Sequence, residues 1–183
     1  MIVGITGPIA SGKSVLAGIF AENGFIRLTL SGEVRGELEK RGRQIERAAL
    51  QDLGNEMRSK YGNGFWAKRL IAKMAMEKNY VIEGIRNPGE VEEFRRLGNF
   101  ILIGVDAPVE KRIEWIKSRN KDSDPKTLEG VKAMDARDRG VGEAEHGQQS
   151  EACFELADNY IMNDTSLDNL REKAVEIVQQ MGE

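Results

Sequence analysis

The sequence predicts a three-layer α/β/α fold, with a parallel sheet of about five strands between two layers of helices. Three observations predict it. Short apolar runs (MIVGIT, YVIEG, NFILIGVDA) alternate with longer segments of helical spacing. The first run leads straight into GPIASGKS, residues 7–14, a glycine-rich turn with an apolar strand before it and a helix after it. No Pro/Gly/Ser-rich linker divides the 183 residues, so 1–183 reads as one domain.

The elements follow in order. MIVGIT is β-branched and ends at glycine, a buried strand. SVLAGIFAEN is helical and stops at Gly24, a C-terminal cap. FIRLTL alternates and reads as a second strand, and SGEVRGELEKRG as a short helix with Ser31 at its N-cap. IERAALQDLGNEMRSKYG and FWAKRLIAKMAMEKN carry helical spacing. YVIEG is a buried strand. NPGEVEEFRRLG is a helix with Asn87 as N-cap and Pro88 in its first position. NFILIGVDA is the clearest strand. PVEKRIEWIKSRN is a helix with Val109, Ile113 and Ile116 on one face. A polar stretch, 119–150, precedes the strand DNYIM and the amphipathic helix SLDNLREKAVEIVQQM. Strands apolar throughout imply helices on both faces of the sheet, and strand–helix alternation implies right-handed parallel crossovers.

Composition narrows the function. Lys plus Arg is 27 and Asp plus Glu is 30, a formal charge of -3. Bulk charge therefore predicts neither nucleic-acid nor anionic-membrane binding. The single cysteine, Cys153, allows no disulfide within the chain, which suits a reducing, cytoplasmic setting. Neither a signal peptide nor an apolar run long enough to span a membrane is visible. Monomer and homodimer both remain open.

GPIASGKS has the form G-x-x-x-x-G-K-[ST], a phosphate-binding loop. Gly7 and Gly12 let backbone N–H groups turn inward around phosphates. Lys13 reaches the β- and γ-phosphates, and the Ser14 hydroxyl is offered to Mg²⁺. The helix that follows points the positive end of its dipole at the anion. Gly7, Ala10, Ser11, Gly12, Lys13 and Ser14 are thus the expected ATP-binding set.

MIVGITGPIASGKSVLAGIFAENGF resembles the opening of dephospho-CoA kinases, and so do VDAPVEKRIEWIKSRN and ADNYIMND. SGEVRGELEKRG, YVIEGIRNPGEVEEFRRLG and the stretch around ARDRG are similar to archaeal-type adenylate-kinase-like proteins. Both groups are P-loop nucleoside/nucleotide kinases, so the resemblance implies a P-loop NTPase fold with ATP as phosphate donor and Mg²⁺ as cofactor. It covers most of the chain.

The resemblance implies roles residue by residue. Arg86, after the third strand, matches an arginine that holds the acceptor's phosphate; the C-terminal edge of a parallel sheet is where ligands bind. Glu83 would order a Mg²⁺-bound water or the acceptor. Glu33 would orient the acceptor hydroxyl or the metal shell, and Arg35 would bind the acceptor. The Ser31-Gly32-Glu33 run departs from the aspartate pair of dephospho-CoA kinases. Residues 31–78 form a helical acceptor-binding region, and 119–150 a mobile lid carrying Arg119, Arg137 and Arg139. Arg119 is assigned to ATP, Arg137 to catalysis and Arg139 to the acceptor. Asn163 would meet the adenine.

His146 has no second ligand nearby and is not expected to bind metal. Cys153, Trp66 and Trp115 read as core; of the tryptophans, Trp66 is the more exposed to an acceptor role. The leading expectation is transfer of the γ-phosphate to a nucleoside or deoxynucleoside monophosphate, with dephospho-CoA as alternative acceptor. A nucleotide-dependent sensor is the reading of another class, though no N-K-x-D run follows a strand.

Overall fold

The structure, a computed structural model, describes residues 1–119 and 127–180. The first half runs β1 (Ile2–Thr6), α1 (Lys13–Glu22), β2 (Ile26–Thr29), α2 (Leu30–Lys40), α3 (Arg47–Tyr61), α4 (Phe65–Ile71) and β3 (Tyr80–Glu83). The second half runs α5 (Pro88–Arg95), β4 (Phe100–Asp106), α6 (Val109–Arg119), α7 (Leu128–Arg139), α8 (Ser150–Glu155), β5 (Asn159–Met162) and α9 (Leu167–Gln180). The five strands form one sheet in the order β2-β3-β1-β4-β5, and every pairing is parallel. β1 lies in the middle, so the loop after it opens at the centre of the sheet's C-terminal edge, where β3 and β4 flank it.

Strand alternation divides the core. Ile2, Tyr80, Ile82 and Leu102 face one way and pack with Leu38, Leu53, Trp66 and Phe94 from α2–α5. Val3, Ile5, Val81, Ile103 and Val105 face the other way and pack with Leu16, Phe20, Leu170 and Ala174 from α1 and α9. A third, smaller cluster joins Ile9 of the phosphate loop to Ile116 of α6 and Val131 of α7. It ties the loop to the helix at the front of the expected lid.

Three expectations change. α2 begins two residues earlier than read from sequence: Thr29, not Ser31, caps it, accepting from the Gly32 N–H at 2.8 Å. The helix starting at Phe65 ends at Ile71, well before the mixed-charge run at 77–79. The strands are not apolar and buried throughout. β1 and β3 are buried along their length, ending in the polar Thr6 and Glu83, but β2 and β5 are edge strands with one neighbour each, and Ile26, Tyr160 and Met162 are exposed. Cys153 and Trp66 are fully buried, as their spacing indicates. No helix among the described residues is long and apolar enough to cross a membrane.

Candidate functional site

The phosphate loop is built for close backbone approach. Gly7 has φ 136°, and a Cβ there would lie 2.0 Å from the Val105 carbonyl oxygen. Gly12, with φ 104°, caps α1; its Cβ would lie 2.3 Å from Asn163 Nδ2. Any other residue at either position would clash and strain the turn. Ala10 takes a left-handed φ of 58°, a strained conformation for a residue with a Cβ. The Ser11 hydroxyl is buried with no hydrogen-bond partner among the described residues. A buried orphan hydroxyl costs free energy unless a ligand or water meets it. An anion seated in this cradle suits both observations.

Lys13 Nζ is half-buried and folds back on its own loop, donating to Gly7 O at 2.8 Å and to Pro8 O. Burial, with the Arg86 guanidinium nearby, lowers its pKa to about 7; the charges of Asp138 and Glu83 act the other way. Asn163 holds the loop from the opposite side. Its Nδ2 donates to Ser11 O at 3.0 Å, and its backbone N–H to Asp106 O at 2.7 Å. The sequence reading assigned Asn163 to adenine; here its side chain spans β5 and the phosphate loop, while Thr165, Ser166, Trp115 and Ser118 line the same end of the cavity.

Ser14, the second residue of α1, donates from Oγ to Glu83 Oε2 at 2.8 Å. Glu83 ends β3 and is nearly buried; its Oε1 accepts from Arg27 Nε at 2.5 Å. Two hard oxygen groups side by side at the loop fit Mg²⁺, which takes few protein ligands and keeps substrate phosphates and water. Among the described residues there is no cluster of three or more acidic, histidine or cysteine side chains to hold a metal entirely by protein.

One cavity of about 1070 Å³ joins this loop to α2 and α3. Leu30, Val34, Leu50 and Trp66 form its apolar wall, and Gln51, Arg58, Arg86, Glu90, Asp138 and Gln148 its polar floor. Trp66 belongs to the core and also to this wall; its Nε1–H donates to Gly54 O at 3.2 Å. The floor is knitted by ion pairs. Arg58 Nε donates to Glu90 Oε1 at 3.0 Å, with both side chains almost wholly buried. Glu90 Oε2 accepts from the backbone N–H groups of Arg86 and Asn87, closing the capping box of α5. Arg86 Nη1 donates to Asp138 Oδ1 at 3.0 Å and to Gln148 Oε1 at 2.9 Å. Arg35 stands exposed at the rim, without an ion pair among the described residues.

The structure therefore brings together Lys13, Ser14, Glu83, Arg86, Arg35 and Asn163. It does not bring Glu33 into the cavity. Glu33 faces α4, where it accepts from Arg69 Nε at 3.1 Å and Lys73 Nζ at 2.6 Å. α2 starts at Leu30, which turns Ser31 and Val34 inward and Glu33 aside. Arg139 also lies away from it, in a separate cleft of about 170 Å³, paired with Asp135 and Glu151. Arg137 pairs with Glu143 and donates to Gln51 Oε1 at 2.9 Å; the Glu143 carboxylate holds its pKa above the usual value. The side chain of Arg119 and residues 120–126 lie outside the described residues.

The expected lid divides into unlike parts. Residues 145–149 are tied to the turn after β3: Asn87 Nδ2 donates to Glu145 O and Gly147 O, and the Gln149 N–H to Arg86 O at 2.6 Å. Arg112 on α6, which the sequence reading passed over, is the second link. It is 4% exposed and donates to Ile9 O, Ala107 O and both oxygens of Asp135 on α7. A charged residue on an amphipathic helix gives no local sign of burial, so no sequence signal marked it.

The fold and loop together define a P-loop protein. The AAA-domain family matches residues 3–139. A UPF0200 protein of Sulfurisphaera tokodaii is 32% identical over 182 residues, covering 98% of this chain and 97% of that one. The chain belongs to the AAA-domain and UPF0200 families. Shikimate kinase from Acinetobacter baumannii, solved in complex with shikimate, shares the fold at a TM-score of 0.59 and 15% identity, covering 98% of this chain and 92% of that one. Dephospho-CoA kinase from Campylobacter jejuni does so at 0.50 and 18%, covering 98% and 96%.

Proposed function

We propose that the protein is an ATP-dependent small-molecule kinase that transfers the γ-phosphoryl group to a phosphate-bearing, nucleotide-type acceptor. The observation that carries this reading is the single cavity running from the phosphate loop to Arg86 and Arg35. A nucleotide switch needs a place for one ligand; this cavity extends beyond the phosphate loop to α2 and α3.

The donor end holds ATP by the backbone of residues 7–14 and by Lys13. Ser14, with Glu83 behind it, would hold Mg²⁺, which supplies positive charge to the β- and γ-phosphate oxygens. Asn163 keeps the loop in shape. Lys13 leaves Gly7 O and Pro8 O for the phosphates and becomes fully charged as it does so. At the acceptor end, Arg86 and Arg35 offer cations to the acceptor's anionic group. Arg137, and Arg119 at the end of α6, supply further positive charge from the covering segment. Residues 127–149, held to the turn after β3 and to α6, would keep water from the transferring group. In-line transfer needs positioning and charge stabilisation, with no covalent enzyme intermediate. Nucleoside and deoxynucleoside monophosphates and dephospho-CoA all satisfy this description. The acceptor is a small molecule rather than nucleic acid or membrane, and the cytoplasm is where ATP and such acceptors meet.

The test is direct. The protein is incubated with Mg²⁺·ATP and a panel of nucleoside monophosphates, deoxynucleotides and dephospho-CoA, and products are read by mass spectrometry. A phosphorylated acceptor is the expected result. Tight ATP binding with no phosphorylated product sinks the kinase reading and favours a nucleotide-dependent sensor.

A further inference from the structure

Glu83 joins three elements. It ends β3, its Oε2 accepts from Ser14 Oγ on α1 at 2.8 Å, and its Oε1 accepts from Arg27 Nε on β2 at 2.5 Å. The strand register explains the reach. β2 pairs with β3 so that Arg27 lies opposite Val81 and Thr29 opposite Glu83. Arg27 and Glu83 are therefore diagonal neighbours on one face of the sheet, a gap that a long side chain crosses. Charged side chains on an edge strand ordinarily guard it against further pairing. This one is turned across the sheet to a nearly buried carboxylate.

Ser14 lines the cavity beside Lys13, and Glu83 stands behind it. A serine hydroxyl has one proton and two lone pairs. With the proton committed to Glu83, Ser14 has only lone pairs to offer the phosphate loop, which is what a cation there requires. That direction lasts only while the carboxylate keeps its angle, and the last torsion of a glutamate side chain is soft. Ser14 holds one of its oxygens and Arg27 the other. Stability does not call for the outer tie. The Arg27 side chain is 42% exposed, and so open an ion pair contributes little to folding.

We propose that Arg27 is a positioning residue for the metal site of the donor end: it fixes the Glu83 carboxylate and, through it, the direction of the Ser14 hydroxyl. The inference rests on the ATP and Mg²⁺ half of the reading above and is independent of the acceptor. Groups that orient a metal ligand from outside are worth about 10–100-fold in metal affinity. The edge strand β2, one strand beyond β3 as seen from the loop, thus takes part in a site that it does not touch.

The experiment measures ATP Kd for the full chain by calorimetry, once in EDTA and once in excess Mg²⁺. The two values, with the affinity of Mg²⁺ for free ATP, give the affinity of Mg²⁺ for the protein–ATP complex. Arg27→Ala is expected to lower that affinity at least about fivefold. Its ATP Kd in EDTA should stay within about twofold of wild type, and its melting temperature within about 4 °C. A smaller loss of Mg²⁺ affinity overturns the inference, and so does an equal weakening of ATP binding with and without Mg²⁺. Arg27→Gln removes the charge but keeps much of the side chain; it should behave alike, and it decides if the alanine variant does not fold. In a Glu83→Ala background, adding Arg27→Ala should cost less than about twofold more, because the carboxylate that it holds is gone. A larger further loss shows that Arg27 acts by another route and overturns the inference. Wild-type protein that binds ATP equally well with and without Mg²⁺ overturns it too. Absence of ATP binding overturns this inference and the kinase reading together. An acceptor panel without product leaves these binding measurements as they are, so the two readings fail separately.

Discussion

The two halves of the cavity are made in different ways. The donor half is local. Lys13 bonds to carbonyls five and six residues away, and Gly7, Ala10 and Gly12 take left-handed or otherwise restricted conformations within one turn. The acceptor half is assembled from afar. Arg58 meets Glu90 across 32 residues, Arg86 meets Asp138 across 52, and Asn55 meets Glu143 across 88. The phosphate is a constant of the chemistry, so a short motif can encode its cradle. The acceptor differs between enzymes, so its site is drawn from helices that vary in length, packing and charge.

The comparison can be broken at either end. The largest expected effect is on the donor side. Lys13→Ala should lower kcat about 10³-fold or more, measured with any accepted substrate, because it removes the cation at the transferring phosphate. It should leave melting temperature unchanged or raised, since a half-buried cation is removed. A residual rate within tenfold would show that the loop lysine is not part of the transfer.

On the acceptor side, Glu90→Ala should destabilise the fold by about 3–5 kcal/mol in urea unfolding. It strands Arg58 in a buried site and also removes the α5 capping box. A loss under about 1 kcal/mol would mean that the acceptor floor is less tightly knit than its geometry indicates. Arg86→Ala should lower kcat/KM for the acceptor about 10²-fold, while ATP Kd moves less than about threefold. The reverse pattern would place Arg86 with the donor.

A finer test reads the Lys13 proton. In the free protein its pKa is lowered to about 7, so above that pH the amine is largely neutral. Phosphates restore the charged form. ATP binding between about pH 8 and 9 should therefore take up close to one proton, seen by calorimetry in buffers of different ionisation enthalpy. The uptake should fade below pH 7, where the free amine is already charged, and vanish in Lys13→Ala. The same shift has a stability sign. Between about pH 7 and the unfolded value of 10.5 the unfolded chain binds the extra proton, so this group adds stability as pH rises through that window. Proton release on binding would contradict the assignment. The smallest effect is expected at Arg139→Ala, whose partly exposed pairs lie outside the cavity. Stability should change by no more than about 1 kcal/mol and kcat/KM by less than twofold.

The phosphate loop, the parallel sheet and the helical capping at Asn87 were legible because each rests on neighbours in sequence. Glycines at fixed spacing, apolar runs of strand length and an Asn-Pro pair carry their own geometry. The place of Arg86 at the cavity was legible as well, since the end of a strand beside the loop is a place the topology points to. Glu33 was not, because its direction depends on where α2 starts, and one residue of phase in a helix turns a side chain by about 100°. Asp138 and Arg112 were hidden for a related reason. Each sits among other charged residues on a helix, and burial follows from what the chain lays across it.

The sequence by itself determined the phosphate-loop conformation after the first strand, since the backbone there follows from the glycines Gly7 and Gly12. The tertiary structure decided which charges line the far end of the cavity. Arg58, Arg86, Glu90 and Asp138 gain their roles from the low-dielectric floor that β3, α3, α5 and α7 close around them. Inside such a floor a charge must have a partner, and that partner is chosen by packing rather than by position along the chain.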